Sequence, residues 1–136
     1  MTVVLDCNIL VMCISSKSDY HIIYQNLVNG NYTIAITDEI LLEYEEIIER
    51  KFSIATAKTF MALLSELSNV KFTSVYYKWF LIDADPDDNK YVDCAIASNA
   101  DFIVTEDHHF NSLTKISFPK VKSISINDFM TLVSAT

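Results

Sequence analysis

The sequence is poor in the residues that mark several common kinds of protein. It contains one glycine and two prolines among 136 residues, which leaves no room for a glycine-rich phosphate loop or a Pro/Gly-rich linker. Its three cysteines, Cys7, Cys13 and Cys94, lack C-x-x-C spacing and lie within apolar runs. They predict buried, reduced thiols rather than a disulfide framework or a zinc site.

Long apolar runs and a secretory leader are lacking as well. No stretch reaches the roughly 20 apolar residues that span a bilayer, and Met1 leads directly into a strand-like pattern. We therefore expect a cytoplasmic protein that does not associate with membranes. Hydrophobic residues are abundant, at 51%, which excludes disorder and predicts one domain over residues 1–136.

Basic residues are scarce: 10 Lys and Arg stand against 18 Asp and Glu, for a net charge of -8. A protein that binds nucleic acid through a broad basic surface needs many cation–phosphate contacts, so that class is disfavoured. A nucleic-acid enzyme is still allowed, because acids gathered around a metal ion can bind phosphate through the charge of the metal.

Strand and helix patterns alternate along the chain. Apolar, β-prone runs predict strands at 3–5, 32–36, 70–75, 102–105 and 121–126, and helical spacing predicts helices at 20–29, 41–50, 54–67, 91–100 and 126–133. Thr37 and Asp38 are candidate caps of the second helix, and Gly30 suits the end of the first. This alternation predicts an α/β fold, with a parallel sheet covered by helices on both faces.

Acids collect where the carboxyl ends of these strands are expected. Ligands of parallel sheets bind at that edge, and clustered carboxylates repel one another unless a cation lies between them. Oxygen ligands favour a hard ion, Mg2+ or Mn2+, which would activate a water and stabilise charge on a phosphodiester. The candidate acids are Asp6, Glu43, Asp85, Asp87, Asp88, Asp93 and Asp107.

Each acid also has a plain structural explanation. Asp6 is placed to cap the next helix, and Glu43 resembles its solvated neighbours Glu45 and Glu46. The DADPDDN segment fits a turn, and it is not an EF-hand, since Asp88 stands where that loop requires glycine. Separate caps need not all fall at one edge of one sheet, so we favour a shared site.

The histidines and the aromatic residues carry weaker signals. His21 is isolated, and His108 and His109 are adjacent without an i, i+4 partner, so we assign all three to surface or capping roles. The aromatic stretch at residues 76–80 predicts core packing or a partner surface, with base stacking as the lesser alternative.

Four segments occur in an order that resembles a known family. They are VVLDCNIL with its D-x-N opening, TDEILLEYEEII with a central Glu, DPDDNKYVDCAIASNAD, and FIVTEDHHF with a closing T-x-D. Together they run from Val3 to Phe110. The chain resembles the PIN domains and, within them, the toxins of toxin–antitoxin pairs.

This resemblance implies a Rossmann-like three-layer α/β/α sandwich. It also implies a Mg2+- or Mn2+-dependent endoribonuclease whose substrate is RNA. A cognate antitoxin protein and a homodimer are the partners that it implies.

The resemblance also implies the roles of individual residues. The catalytic, metal-holding acids would be Asp6, Glu43, Asp88 and Asp107, with Asp87 an alternative to Asp88 and with Asp93 close to the metal. Asn8 and Thr105 would form hydrogen bonds behind these ligands. One departure is Glu106, which stands where the family commonly has glycine or a basic residue.

Two other functions remain open at this point. One is a catalytically weak module of PIN fold that binds RNA or a protein partner, which the presence of all four acids disfavours. The other is a phosphatase or receiver-type domain with Asp6 as phosphate acceptor. Such phosphatases carry a second acid two residues later, where this chain has Asn8.

Overall fold

The computed structural model describes residues 1–135, in which the chain forms five strands, six α-helices and two 3₁₀ helices. The strands are β1 (Thr2–Leu5), β2 (Thr33–Ile36), β3 (Val70–Phe72), β4 (Phe102–Val104) and β5 (Ser123–Ile124). The α-helices are α1 (Cys7–Ile14), α2 (His21–Val28), α3 (Asp38–Lys51), α4 (Ile54–Glu66), α5 (Asn89–Ser98) and α6 (Ile126–Ser134). The 3₁₀ helices are η1 (Pro86–Asp88) and η2 (His108–Lys115).

The strands form a parallel sheet in the order β3-β2-β1-β4-β5. The chain moves outward from β1 to β3 and then returns to add β4 and β5 on the other side of β1. Crossovers between parallel strands are right-handed, so this reversal places α1 to α4 on one face and α5 on the other. The predicted three-layer α/β/α fold with a central parallel sheet is confirmed.

Burial on both faces explains why the central strands are uniformly apolar. Val3, Val4 and Leu5 of β1 are fully buried, as are Ile34 and Ile36 of β2. A strand covered by helices on both sides has no solvated face and therefore no alternation of polar residues.

Helix α3 begins where its cap was predicted. The Thr37 side chain accepts a hydrogen bond from the Ile40 amide at 3.2 Å. The fully buried Tyr44 of this helix donates its hydroxyl to the carbonyl of Leu5, the last residue of β1. That contact fixes α3 against the carboxyl end of the central strand.

Several boundaries differ from the sequence-based expectation. The sequence pattern alone did not define α1, which begins directly after Asp6. The strands predicted at 70–75 and 121–126 are shorter, because β3 and β5 are edge strands with a neighbour on one side only. Helix α5 begins two residues earlier, at Asn89.

Within residues 1–135, no helix is both long enough and apolar enough to cross a membrane.

The order of the strands reverses between β1 and β4. In open α/β sheets, the crevice at such a reversal lies outside the carboxyl ends of the two strands and is the usual ligand site. Asp6 follows β1, and Thr105 follows β4. The topology therefore brings the first and last of the four sequence segments to one crevice.

Candidate metal centre

Asp6 and Thr105 stand side by side at the ends of β1 and β4. Leu5 pairs with Val104 in the sheet, and the Asp6 amide continues this pairing by donating to the Val104 carbonyl at 3.1 Å. The Thr105 hydroxyl donates to Asp6 Oδ2 at 2.8 Å and accepts from the Asp107 amide at 3.0 Å. A single hydroxyl thus orients one carboxylate and fixes the turn that carries the other.

Asp6 precedes α1, but its carboxylate does not act as the cap of that helix. No capping hydrogen bond from this side chain meets ordinary distance and angle limits. Burial raises the pKa of Asp6, although the Thr105 hydroxyl and the nearby Asn8 amide lower it. The main hydrogen bond of the Asp6 carboxylate is therefore the one from the Thr105 hydroxyl, at the edge of the sheet.

Asp88 supplies a third carboxylate, at the junction of η1 and α5. Its side chain is 11% exposed, and its Oδ2 atom is buried without a hydrogen-bond partner among residues 1–135. Burial raises the pKa of Asp88 to about 7, and nearby negative charges add to this effect. Those charges belong to Asp107, Asp85 and Asp6. Asp87, the alternative for this position, is exposed.

A histidine and a further acid complete the cluster. His109 Nδ1 lies 3.1 Å from Asp107 Oδ1 and 3.7 Å from Asp88 Oδ2, without the geometry of a hydrogen bond. One side-chain atom from each member of the cluster lies within 4.8 Å of all the others. The members of this acidic cluster are Asp85, Asp88, Asp107 and His109.

The position of His109 departs from the surface or capping role expected from the sequence. Asp107 precedes η2 and its carboxylate accepts from the His109 amide at 2.9 Å, which turns the histidine back toward the acids. The sequence signal for this position is an acid, Asp107, that stands two residues before His109 at the start of a helix.

Glu43 of helix α3 lies beside Cys7, the residue after Asp6, and is held by two residues of α5. Lys90 Nζ pairs with Glu43 Oε2 at 2.6 Å, and the Tyr91 hydroxyl donates to Glu43 Oε1. The same hydroxyl accepts from the Cys7 amide at 3.3 Å. Burial raises the pKa of Glu43, but the Lys90 and Tyr91 contacts outweigh it and hold the pKa below its usual value. Glu43 is therefore an ionised and oriented carboxylate, not a freely solvated one.

Two of the predicted site residues lie apart from these groups. Asp93 Oδ1 accepts a hydrogen bond from the Trp79 amide at 3.1 Å, and the charges acting on Asp93 come from Lys78 and Glu39. The side chain of Asn8 is exposed and forms no hydrogen bond within the described residues. The arrangement supports neither Asp93 as a metal ligand nor an Asn8 side chain behind the ligands, and both remain predictions.

The donor set fits a hard divalent cation. Carboxylate oxygens dominate it, and burial, aided by the charges of Asp6 and Glu43, raises the pKa of the Cys7 thiol to about 12, so no thiolate competes at neutral pH. Asp88 Oδ2 is a buried oxygen without a hydrogen-bond partner, surrounded by like charges. A cation would satisfy this atom and relieve the repulsion, and oxygen ligands of this kind suit Mg2+ or Mn2+.

Comparisons with known proteins agree with this fold. A family model described as "PIN domain" matches residues 2–109. No curated protein matches the chain significantly. Among solved structures, the chain is similar to one from Rickettsia felis described as "VapBC2 … bound to a DNA fragment from their promoter". That match has a TM-score of 0.61 and 23% identity, and it covers 92% of this chain and 98% of the other, so it supports the fold.

Proposed function

Because the chain belongs to the PIN domain family, we propose that it is a metal-dependent endoribonuclease that hydrolyses RNA phosphodiester bonds. The observation that carries the proposal is the buried, unpartnered Asp88 Oδ2 among like charges at the β1/β4 crevice. Residues 1–136 would form one domain that acts in the cytoplasm. Acids that are held close together, although their repulsion lowers the stability of the fold, are typical of a metal-binding active site.

In this proposal, Asp6, Asp88 and Asp107 hold Mg2+ or Mn2+, and Glu43 serves as the fourth catalytic acid. When bound, the ion supplies a water of lowered pKa and offsets the negative charge of the phosphodiester. Asp88 must give up its proton before it can serve as a ligand, since its pKa is about 7.

Other side chains orient these acids. Thr105 holds Asp6 by its hydroxyl, and Tyr91 and Lys90 hold the two oxygens of Glu43. Their fixed hydrogen bonds keep the carboxylates in place without reorganisation during the reaction, and this preorganisation is a large part of catalysis. His109 is placed to donate to or accept from groups near Asp107 and Asp88.

The first test compares variants for cleavage of a mixed pool of structured RNAs. We expect the wild type and Asp19→Asn, a control at an exposed acid outside the site, to cleave RNA in Mn2+ or Mg2+. Asp6→Asn and Asp107→Asn should be inactive while remaining folded, and a chelator should stop the wild type. Equal cleavage by wild type and Asp6→Asn would show that the cleavage does not depend on Asp6 and would refute this assignment.

The second test addresses the alternative of a catalytically weak binding module. Titration calorimetry with Mn2+ at pH 8 should show binding to wild type and weaker binding to Asp88→Asn. A protein that binds no Mn2+ at millimolar concentration would favour the binding module.

We further propose that the nuclease is the toxin of a toxin–antitoxin pair and forms a homodimer. The similar Rickettsia felis structure is named for the VapBC2 pair, which supports an antitoxin partner here. Expression of the wild type in a bacterial host should arrest growth, and expression of Asp6→Asn should not. Light scattering should give twice the 15.5 kDa mass of the chain, and a monomer would refute the dimer.

A further inference from the structure

One nitrogen atom of the acidic cluster is buried beside the acids. The side chain of His109 is 30% exposed, but its Nδ1 atom is buried, so the exposed part of the ring lies elsewhere. Among residues 1–135, Nδ1 has no hydrogen-bond partner. A buried polar atom in this condition has lost its contact with water and gained nothing in return, which is rare in folded proteins. A ligand from outside the chain would satisfy this nitrogen.

The distances from His109 Nδ1 to two carboxylates fit the ligands of one ion. The nitrogen lies 3.1 Å from Asp107 Oδ1 and 3.7 Å from Asp88 Oδ2. Ligand atoms about 2.1 Å from an octahedral ion are about 3.0 Å apart when adjacent and about 4.2 Å apart when opposite. Both observed separations fall between these limits.

Asp88 gives a second and independent indication of a ligand. The residue is only 8% exposed, and its Oδ2 atom lacks a hydrogen-bond partner within the described part of the chain. Asp88 and His109 come from different elements, η1 and η2, and each directs a buried, unpartnered atom toward the other. One cation between them would satisfy both atoms.

The backbone on both sides of His109 is fixed. Its amide donates to the Asp107 carboxylate at 2.9 Å, and the Asp107 amide donates to the Thr105 hydroxyl at 3.0 Å. The next residue, Phe110, is fully buried in the core. A ligand that is held in place before the ion arrives loses little conformational freedom on binding.

The adjacent His108 is placed differently. It is exposed, and the centre of its ring lies 4.4 Å from that of His109. One of its nitrogens lies within 4.8 Å of atoms of Asp107 and His109, but the set of side chains that includes Asp88 contains His109 and not His108. His108 is therefore a matched control for the role of its neighbour.

We propose that His109 Nδ1 is a ligand of the metal ion beside Asp88 and Asp107, and that this nitrogen makes the centre favour transition-metal ions such as Mn2+ and Co2+ over Mg2+. The inference rests on the metal-dependent function proposed above and adds a ligand to the acids named there. Mg2+ takes oxygen ligands, whereas imidazole suits transition-metal ions, and affinity rises from Mn2+ to Co2+. As a ligand, the ring offers its Nδ1 lone pair and carries its proton on Nε2.

The alternative role of His109 is that of a counter-ion. A protonated ring would offset the charges of Asp88 and Asp107 without a metal ion, and it would donate a charge-assisted hydrogen bond. Neither carboxylate forms such a bond with Nδ1, which favours the ligand role. The two roles also differ in their consequences. Loss of a counter-ion would strengthen the binding of every divalent cation, whereas loss of a nitrogen ligand weakens the binding of transition-metal ions.

The first measurement is pulsed EPR of Mn2+ bound to the full chain at pH 8, which detects the nuclear coupling of a coordinated nitrogen. We expect this coupling in wild type, its loss in His109→Asn and its retention in His108→Asn. Asparagine can offer an amide oxygen near the position of Nδ1, so the variant exchanges a nitrogen ligand for an oxygen ligand. Thermal unfolding in EDTA checks that each variant is folded, and His109→Gln makes the same exchange if His109→Asn does not fold.

The second measurement is titration calorimetry of Mg2+, Mn2+ and Co2+ with the same proteins. Loss of a group that orients a metal ligand commonly costs about 10- to 100-fold in affinity, so loss of the ligand itself should cost at least about tenfold for Co2+. The loss for Mn2+ should be smaller, and the affinity for Mg2+ should change little, because an oxygen ligand suits that ion. His108→Asn should match wild type for all three ions.

Four results would overturn the inference. They are bound Mn2+ without a nitrogen coupling in wild type, loss of the coupling in His108→Asn with its retention in His109→Asn, tighter binding of all three ions by His109→Asn, and no binding of Mn2+ by wild type. Failure of the ribonuclease proposal is distinguishable, because it shows as absent RNA cleavage by a protein that binds Mn2+ with the nitrogen coupling.

Discussion

Replacing Asp88 by asparagine should stabilise the protein when no divalent ion is present. The wild-type carboxylate is 11% exposed, has an unpartnered Oδ2 and lies among like charges. Its side chain forms no capping hydrogen bond to α5, so Asp88→Asn loses no helix cap. The substitution removes one charge from the cluster and keeps the size of the side chain.

The expected gain follows from the raised pKa of Asp88. The unfolded chain ionises this carboxyl near pH 4, at about its model value, whereas the folded protein ionises it only near pH 7. Stability is therefore fully present below pH 4, falls as the pH rises from about 4 to 7, and stays lower above pH 7. The rise from 3.8 to about 7 sets an upper limit of about 4 kcal/mol. Solvent screening of the neighbouring acids reduces our expectation to about 1–2 kcal/mol.

Thermal unfolding in EDTA at several pH values measures this effect. At pH 8 the melting temperature of Asp88→Asn should exceed that of wild type by roughly 3 to 8 °C, and the difference should nearly vanish at pH 4. Asp87→Asn is the matched control, because it removes an adjacent but exposed charge and should change little. An Asp88→Asn protein that is less stable than wild type at pH 8, or a gain that is constant with pH, would refute the reasoning.

Three further outcomes are expected. Mn2+ affinity should rise about tenfold per pH unit below pH 7, because the ion must displace the proton of Asp88. Calorimetry in two buffers of different ionisation enthalpy would measure the one proton released, and binding without proton release would contradict the prediction. Thr105→Val should cost about 1–2 kcal/mol in urea unfolding and weaken Mn2+ binding, because it frees Asp6 Oδ2, whereas Thr105→Ser should restore both. Tyr91→Phe should lower RNA turnover about 10- to 100-fold while the protein remains folded, because it releases one oxygen of Glu43; unchanged turnover would contradict this role.

The part of the site that follows from strand order was predictable from the sequence. Alternating patterns imply a parallel sheet, and a parallel sheet places all carboxyl strand ends at one edge. Asp6 and Asp107 each follow an apolar run, so their proximity needed only that β1 and β4 be neighbours. Thr105 could be placed between them because it directly follows β4.

Contacts that depend on packing between helices could not be predicted from strand order. Lys90 and Tyr91 reach Glu43 because α5 and α3 meet near the end of β1, and helical periodicity states which face of a helix is buried but not what it meets. Asp93 illustrates the same limit. Its spacing from Asp88 suggested the same site, but the irregular segment after β3 lies alongside α5, and the Trp79 amide donates to Asp93.

The pairing of β1 with β4 brings together two segments that lie far apart in the sequence. Thr105 lies 99 residues after the Asp6 carboxylate that it orients. A chain that has been synthesised only as far as α5 contains Asp6, Glu43 and Asp88 but has neither Thr105 nor Asp107. During translation the acids of the proposed nuclease would therefore remain unassembled on the ribosome, and the chain could not attack the message that encodes it before β4 and the turn after it have been made.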